Sequence, residues 1–477
     1  MLSARIPERA WRAIAGTDPP TAPIGLRAQP SRMDDLTAHA ALGLALRIGE
    51  SMLAVGASAA DVTATVLRVA AAHGLTSCQI DITHTSITVS YDRENAVPLT
   101  AMRIVRTSRT DYTRLQGIND LARAVGAGAL EVEEAHRRLD DIVAAPATYR
   151  RTVHTLGWAG LAGSVGLLLG GGWLEALSAA LTTALIEQVL RVLTRRSLPS
   201  FFQQAAGAAL ATGVAVLLLA WHVDVRSSLV VAAGIVVLLA GLSLVSSAQD
   251  AISGFPVTAT ARAFEVVTLT AGIVVGIAGV LDLAQRARLP LTVVDTSPAP
   301  VPFAVALAAS AGIAGFWSLA SHARPRAVVL AAGAGALAWT TSWAAGGIGA
   351  GPALAGGVAA VVLGFCGEVL TERLQVPTQV IAVCGIVPLL PGLAIYHGLF
   401  AIVVGADIEG GLSALVGAAA IGLALAAGVT LREYLGRPVS GSRDRYDERV
   451  RRRPGPPTEL LAGHAIRGGP SGSTPWV

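Results

Sequence analysis

The chain has 477 residues, of which 53% are hydrophobic and only 14% are charged. Its mean hydropathy of +0.58 excludes an ordinary soluble protein and indicates a membrane protein. The sequence pI of about 9.3 does not require nucleic acid as a partner, because basic loops beside apolar segments are usual on the cytoplasmic side of a membrane. The three cysteines show neither a disulfide framework nor a metal-ligand spacing, so no cofactor is expected.

Two regions precede the apolar part of the chain. Residues 1–33 are rich in Pro, Arg and Ala and lack the apolar core of a secretory signal, so they are predicted to be a disordered arm. Residues 34–145 are predicted to be a small cytoplasmic α/β domain. Ser58 is expected to cap its second helix, and alternation of apolar and polar residues over 78–82 and 87–91 predicts two strands joined by a short turn.

The rest of the chain is dominated by apolar segments of about 20 residues, which is the length needed to cross a bilayer. We predict ten transmembrane helices in two five-helix halves, 146–285 and 296–435, followed by a disordered basic tail, 436–477. The ten segments are approximately 153–172, 174–193, 204–222, 228–247, 258–281, 302–320, 326–344, 352–370, 377–398 and 410–431.

The loop arginines predict the orientation of these helices. If the N-terminal domain is cytoplasmic, only Arg226, Arg286 and Arg288 fall on the outer side, and the other loop arginines face the cytoplasm. Because positive residues are enriched in cytoplasmic loops, both termini are predicted to be cytoplasmic.

A short repeat joins the two predicted halves. Gly-Ile-Val-Pro-Leu-Leu-Pro-Gly-Leu at 385–393 agrees with Gly-Ile-Val-Val-Leu-Leu-Ala-Gly-Leu at 234–242 at both glycines, Ile, Val and all three leucines. The copies lie five crossings apart and so run in opposite directions, as in the inverted repeats of secondary transporters, whose broken helices meet near the bilayer midplane. Coincidence in sequence rich in Val, Leu and Gly is the alternative. The expected helix-breaking residues are Gly241, Pro388, Pro391 and Gly392.

Ionisable groups inside a membrane are costly, by ~2.5 to 3.5 kcal/mol at a helix centre, and are therefore candidates for function. The candidates for substrate binding or proton coupling are Asp250, Arg262, Glu265, Glu368 and Tyr396. Asp250 and Arg262 could bind the two charged ends of an amino acid or simply pair with each other. Charges at the headgroup level and an interfacial aromatic belt are the alternatives for the other three residues.

The sequence offers little support for an enzyme. Asp81, His84 and Ser86 lie together on the predicted hairpin, but a strand and a short turn do not hold them in a nucleophile, base and orienter geometry. The chain has no phosphate-binding Gly-Lys-Ser/Thr motif, no His-Glu-x-x-His and no dinucleotide fingerprint. We therefore expect neither catalysis, nor a metal, nor ATP-driven transport.

Four groups of residues resemble a known family: Gly49–Leu53, Leu115–Leu121, Asp250 with Gly254 and Arg262, and Glu372–Pro377 ahead of the second repeat copy. Together they resemble the threonine/serine exporter family over approximately residues 35–435. The resemblance implies a multi-pass exporter in the bacterial inner membrane, driven by the proton motive force. Its implied partners are L-threonine, L-serine, protons and the lipid bilayer, with a homo-oligomer left open.

Two departures from the family pattern concern the first repeat copy. Ala240-Gly241 stands where Pro-Gly is expected, which predicts a softer break in segment four than in segment nine, and Gln249 replaces an expected arginine. Three alternatives stay open: an exporter of a different small metabolite, a membrane-anchored hydrolase-like enzyme, and a ligand sensor that uses residues 34–145.

Overall fold

The computed structural model describes residues 35–435 except 94–96, 106–109, 224–225, 240, 288–300, 375–377, 404 and 406. The described residues up to Leu431 belong to one compact unit, and of a second unit that begins at Arg432 only the end of the last helix is described. The predicted arm and tail lie outside the described residues.

The N-terminal region, residues 35–145, combines helices with a small sheet. Its elements are α1 (Asp35–Ala54), α2 (Ala59–Ala72), β1 (Cys78–Ile82), β2 (Ser86–Tyr91), β3 (Leu99–Ile104), α3 (Tyr112–Gly126) and α4 (Val132–Ala144). Ser58 caps α2 as expected, because its hydroxyl accepts a hydrogen bond of 3.2 Å from the backbone N–H of Asp61.

The sheet has three antiparallel strands in the order β1-β2-β3, so both predicted strands are present and a third, β3, was not predicted. Ile87 and Val89 on the central strand are fully buried between the sheet and the helices. The third strand, β3, escaped prediction because its pairing with β2 leaves Met102 and Ile104 exposed. Its sequence therefore lacks the alternation by which a half-buried strand is recognised.

The remaining described residues are helical. The helices are α5 (Arg151–Leu168), α6 (Trp173–Arg195), α7 (Ser200–Ala220), α8 (Ser227–Val236), α9 (Gly241–Ile252), α10 (Pro256–Arg286), α11 (Phe303–Ala320), α12 (Pro325–Gly347), α13 (Pro352–Leu374), α14 (Thr378–Ile386), α15 (Gly392–Val403) and α16 (Ile408–Leu435). A 3-10 turn, Val387–Leu389, follows α14. Each predicted apolar segment overlaps at least one of these helices.

By length and composition, six helices in the described part of the chain can cross a membrane, or up to eight if each of two bent pairs forms one span. The bent pairs are α8 with α9, at 46°, and α14 with α15, at 42°. They divide predicted segments four and nine at the two repeat copies. At 46° and 42° the two bends are similar in size, so the first break is not softer than the second by this measure.

Glycine lets several of these helices approach closely. An added Cβ on Gly276 in α10 would lie 2.1 Å from the carbonyl oxygen of Ala205 in α7, and one on Gly157 in α5 would lie 2.9 Å from the backbone nitrogen of Ala320 in α11. Small residues at helix contacts are typical of membrane proteins, where packing replaces the hydrophobic effect as the force between helices. The mostly helical architecture and its apolar helices make this a multi-pass membrane protein.

Candidate functional site

The two interrupted helix pairs touch each other at their breaks. A Cβ added to Gly241 would lie 3.2 Å from the Cβ of Leu390 and 3.4 Å from the Cα of Gly392. A Cβ added to Gly392 would lie 3.1 Å from the Cβ of Leu239. The structure therefore brings the two repeat copies together, and glycine at both positions is what allows their backbones to approach.

A cavity of about 120 Å³ lies beside this contact. At about 30 Å³ for each water molecule it has room for ~4 waters, which is the scale of a small metabolite. Its walls come from α5, α11 and the two breaks, and Trp317 is the one lining residue with a polar side-chain atom. The lining residues are Leu161, Val165, Leu168, Leu169, Val236, Leu239, Gly241, Leu242, Ile313, Trp317, Val387, Pro388, Leu390, Gly392 and Leu393.

The polarity of the cavity comes from the backbone. Helices α9 and α15 begin at Gly241 and Gly392, both of which line the cavity, so two positive helix ends lie beside it. The carbonyls of Val236 and Val387, both also in the lining, accept hydrogen bonds of 3.2 Å from the N–H groups of Leu239 and Leu390, and each oxygen keeps a second lone pair for a further donor. Such a site can attract a carboxylate and an ammonium group without any charged side chain.

The prolines change the backbone hydrogen bonding at the second break. Pro388 and Pro391 have no N–H, so the carbonyls of Cys384 and Val387 cannot receive the usual α-helical bond from four residues ahead. The Val387 carbonyl instead accepts a hydrogen bond of 3.2 Å from the N–H of Leu390, which tightens the chain into its 3-10 turn.

Asp250 and Arg262 pair with each other. Asp250 lies in α9, is 2% exposed, and its Oδ2 is 3.2 Å from the Nε of Arg262 in α10. The backbone N–H of Ala59, at the start of α2, also contacts the carboxylate. Gly254, with a φ of +87°, ends α9 and turns the chain into α10, which sets the two side chains face to face. The pair lies against the N-terminal region and is not part of the cavity lining.

The other sequence candidates also lie away from the cavity. Glu265 in α10 has a side chain that is 44% exposed, and its Oε2 is 3.6 Å from the Nε2 of His84. Tyr396 in α15 is 8% exposed and packs in an apolar cluster with Ile235 and Ile273. Glu368 lies in α13, but its side chain is outside the described residues.

The arrangement does not resemble a hydrolytic site. Ser86 Oγ is 2.8 Å from the Oγ1 of Thr83 rather than from a histidine, and His84 faces Glu265. Within the described ranges no group of three or more His, Cys, Asp or Glu residues could hold a metal ion.

Sequence reasoning missed the walls that α5 and α11 contribute. Val165 and Ile313 are ordinary apolar residues with no local signal of function. The available signal was positional, because α5 and α11 overlap the first segment of each predicted half, and helices related by a repeat tend to line a common site.

Two family models match this chain, one over each part of it. Residues 43–284 match the family model ThrE, described as "Putative threonine/serine exporter", and residues 305–435 match a second model, "Threonine/Serine exporter, ThrE". No solved structure gives a significant match.

Two curated relatives cover most of the chain. The "Probable threonine/serine exporter" of Mycobacterium tuberculosis (strain ATCC 25618 / H37Rv) is 38% identical over 465 residues, which are 95% of this chain and 88% of the relative. The "Threonine/serine exporter" of Corynebacterium glutamicum is 36% identical over 416 residues, which are 84% of each chain. These proteins are exporters and not enzymes, and the chain belongs to the threonine/serine exporter family.

Proposed function

We propose that this protein exports L-threonine and L-serine across the bacterial inner membrane, with the cavity at the two helix breaks as the substrate site. The observation that supports this most directly is the contact between Gly241 and Gly392 beside a small cavity. A hydroxylated amino acid has a carboxylate for the helix N-termini and ammonium and hydroxyl donors for the carbonyls. The apolar walls leave room for a short side chain and exclude water.

Ten crossings in two inverted halves, 146–285 and 296–435, would place this cavity near the bilayer midplane. The repeat copies in α8–α9 and α14–α15 support this arrangement, since each forms a bent pair at the equivalent place in its half. Transport then follows from alternating access, in which one half rocks against the other around a fixed site. The positive-inside rule supports cytoplasmic positions for both termini and for the N-terminal region.

Coupling to the proton motive force is assigned to Asp250. The Asp250 carboxylate is 2% exposed and lies 3.2 Å from the Arg262 guanidinium, and protonation of the carboxylate would leave the guanidinium charge in this buried place uncompensated. Helix α9 carries Asp250 at one end and Gly241 at the other, nine residues or ~14 Å away at 1.5 Å per residue. A rigid helix of this length can transmit a displacement of the pair to the cavity. Glu265, Glu368 and Tyr396 are secondary candidates.

Efflux from intact cells tests the function. Cells with this protein and cells with an empty vector are preloaded with a labelled threonine- or serine-containing dipeptide, and efflux of the free amino acid is followed with and without an uncoupler. We expect faster efflux with the protein and loss of this difference with the uncoupler. Equal efflux from both cultures, with the protein verified in the membrane, would show that the substrate is a different metabolite.

Asp250→Asn tests the coupling residue, and Asp282→Asn is its matched control. Asp282 lies in α10 and pairs with Arg286 at 2.9 Å. Both side chains of this pair are exposed, so the loss of the ion pair has little effect on the protein. We expect the Asp250 variant to lose at least tenfold in efflux at an unchanged membrane level and the Asp282 variant to export normally. Normal efflux by a well-inserted Asp250→Asn protein would remove this residue from the mechanism.

A further inference from the structure

The N-terminal region is hydrogen-bonded to the membrane part of the chain at two places. At the first, Thr258, in α10, donates a buried hydrogen bond of 2.9 Å from its hydroxyl to the carbonyl of Ile82. At the second, the backbone N–H of Tyr112 donates to the carbonyl of Ser321 at 3.0 Å, and the Thr113 hydroxyl donates to the carbonyl of His322, just beyond α11. One region therefore bridges α10 and the α11–α12 connection.

Tyr112 makes the deepest of these contacts. It is the first residue of α3, a position that usually faces water, yet it is only 5% exposed. Burial raises the pKa of its phenol well above the ordinary value, and its side-chain neighbours are Cys384 in α14 and Trp317 in α11. Asp111 fixes the start of α3 by accepting a hydrogen bond of 3.0 Å from the N–H of Arg114, which holds the ring in this direction.

Trp317 connects Tyr112 to the cavity. Its indole belongs to the cavity lining and is packed edge-on against Trp158 of α5 at a centroid distance of 5.4 Å. Tyr112 of the N-terminal region neighbours this indole without lining the cavity itself, and its other neighbour, Cys384, is fully buried. The contact between Tyr112 and Trp317 therefore joins the N-terminal region to the wall of the cavity.

We propose that residues 35–145 form the cytoplasmic gate of this exporter and that Tyr112 is the plug that closes the cavity towards the cytoplasm. The proposal rests on the proposed function, because it takes the cavity as the substrate site. An exporter must admit its substrate from the cytoplasm, so the plug must withdraw from between α11 and α14 in each cycle. The N-terminal region would move relative to α11, and its bond from Thr113 to His322 would break and form again.

A reversible cross-link tests whether this movement is required. With Cys78, Cys366 and Cys384 replaced by alanine, Thr113→Cys and His322→Cys place one thiol on each of the two residues that form the moving contact. The matched control is Ser90→Cys with Thr100→Cys, whose hydroxyls lie 2.9 Å apart across β2 and β3 within the N-terminal region. We expect oxidation of the first pair to lower threonine efflux at least tenfold, reduction to restore it, and oxidation of the control pair to leave it unchanged. Unchanged efflux from the fully cross-linked first pair would overturn the gate.

Threonine efflux by the reduced proteins distinguishes a failure of the proposed gate from a failure of the proposed substrate. If the reduced pair and the cysteine-free parent both fail to export threonine, the proposed substrate fails, and the gate is tested by labelling instead.

Labelling of Cys384 by N-ethylmaleimide needs no substrate. In a protein whose only thiol is Cys384, we expect Tyr112→Ala to speed labelling at least tenfold, whereas Tyr112→Phe keeps the ring and the protection. Tyr91→Ala, the same change on β2, is the control and should label as slowly as the parent. If Tyr112→Ala does not fold, Thr113→Val removes only the hydroxyl that holds the plug and is expected to speed labelling as well. A folded variant of either kind that labels at the parent rate would contradict the role of Tyr112.

Discussion

Two glycines on α10 provide a sharp test of how the helices pack. Gly276 and Gly279 are three residues apart, and a Cβ on Gly276 would lie 2.1 Å from the carbonyl oxygen of Ala205 in α7. A carbon and a carbonyl oxygen normally stay at least about 3.3 Å apart, so Gly276→Ala lacks ~1.2 Å of space. Because the obstacle is backbone, only a separation of α7 from α10 relieves the overlap. Gly279, one turn further along α10, has nothing within 4 Å of the same added atom.

The expected magnitudes follow from these distances. Overpacking costs ~1 to 3 kcal/mol and sometimes more, and the overlap at Gly276 belongs at the upper end. Alanine returns ~0.8 to 1 kcal/mol of helix propensity, so the net loss at Gly276 is about 2 kcal/mol. Gly279→Ala makes no clash and should leave the free energy of unfolding unchanged or raise it by up to ~1 kcal/mol.

Unfolding of the purified protein by increasing detergent or denaturant, followed by tryptophan fluorescence, measures both variants side by side. The midpoint should fall for Gly276→Ala and stay or rise for Gly279→Ala. A Gly276→Ala protein as stable as Gly279→Ala would show that α7 and α10 are not packed as described.

Three further predictions concern the site and the N-terminal region. Gly241→Leu should fill the space against Leu390 and lower efflux at least tenfold at a normal membrane level; full activity would exclude this contact from the substrate path. Ser58→Ala removes the cap of α2 and should lower stability by about 1 kcal/mol, seen as a lower unfolding midpoint, and an unchanged midpoint would contradict the cap. Burial raises the pKa of Cys78 to about 11. Its alkylation by iodoacetamide should therefore be slow at pH 8 and rise about tenfold per pH unit, whereas a plateau near pH 9 would refute the shift.

Several features of this protein could be predicted from sequence because they depend on neighbouring residues alone. The apolar segments follow from the thickness of a bilayer, and the break at Pro388 and Pro391 follows from the missing N–H groups. The Ser58 cap follows from one hydroxyl and one orphan N–H. The similarity of 234–242 to 385–393 pointed to a second break, which the structure shows even though its proline is missing. Membership of the family could also be predicted from the sequence, because several of the family's motifs occur together along the chain.

Other features were decided only by residues far apart in the chain. The edge strand β3 has no pattern of its own and depends on pairing with β2. The sequence could not choose between ligand binding and mutual pairing for Asp250 and Arg262, since only the folded chain brings the two side chains to 3.2 Å. The cavity walls on α5 and α11 and the burial of Tyr112 against Trp317 arise from helix contacts over long sequence separations. Interactions between neighbouring residues therefore determined the helices and their breaks, whereas contacts between distant residues decided how the two breaks meet beside the cavity.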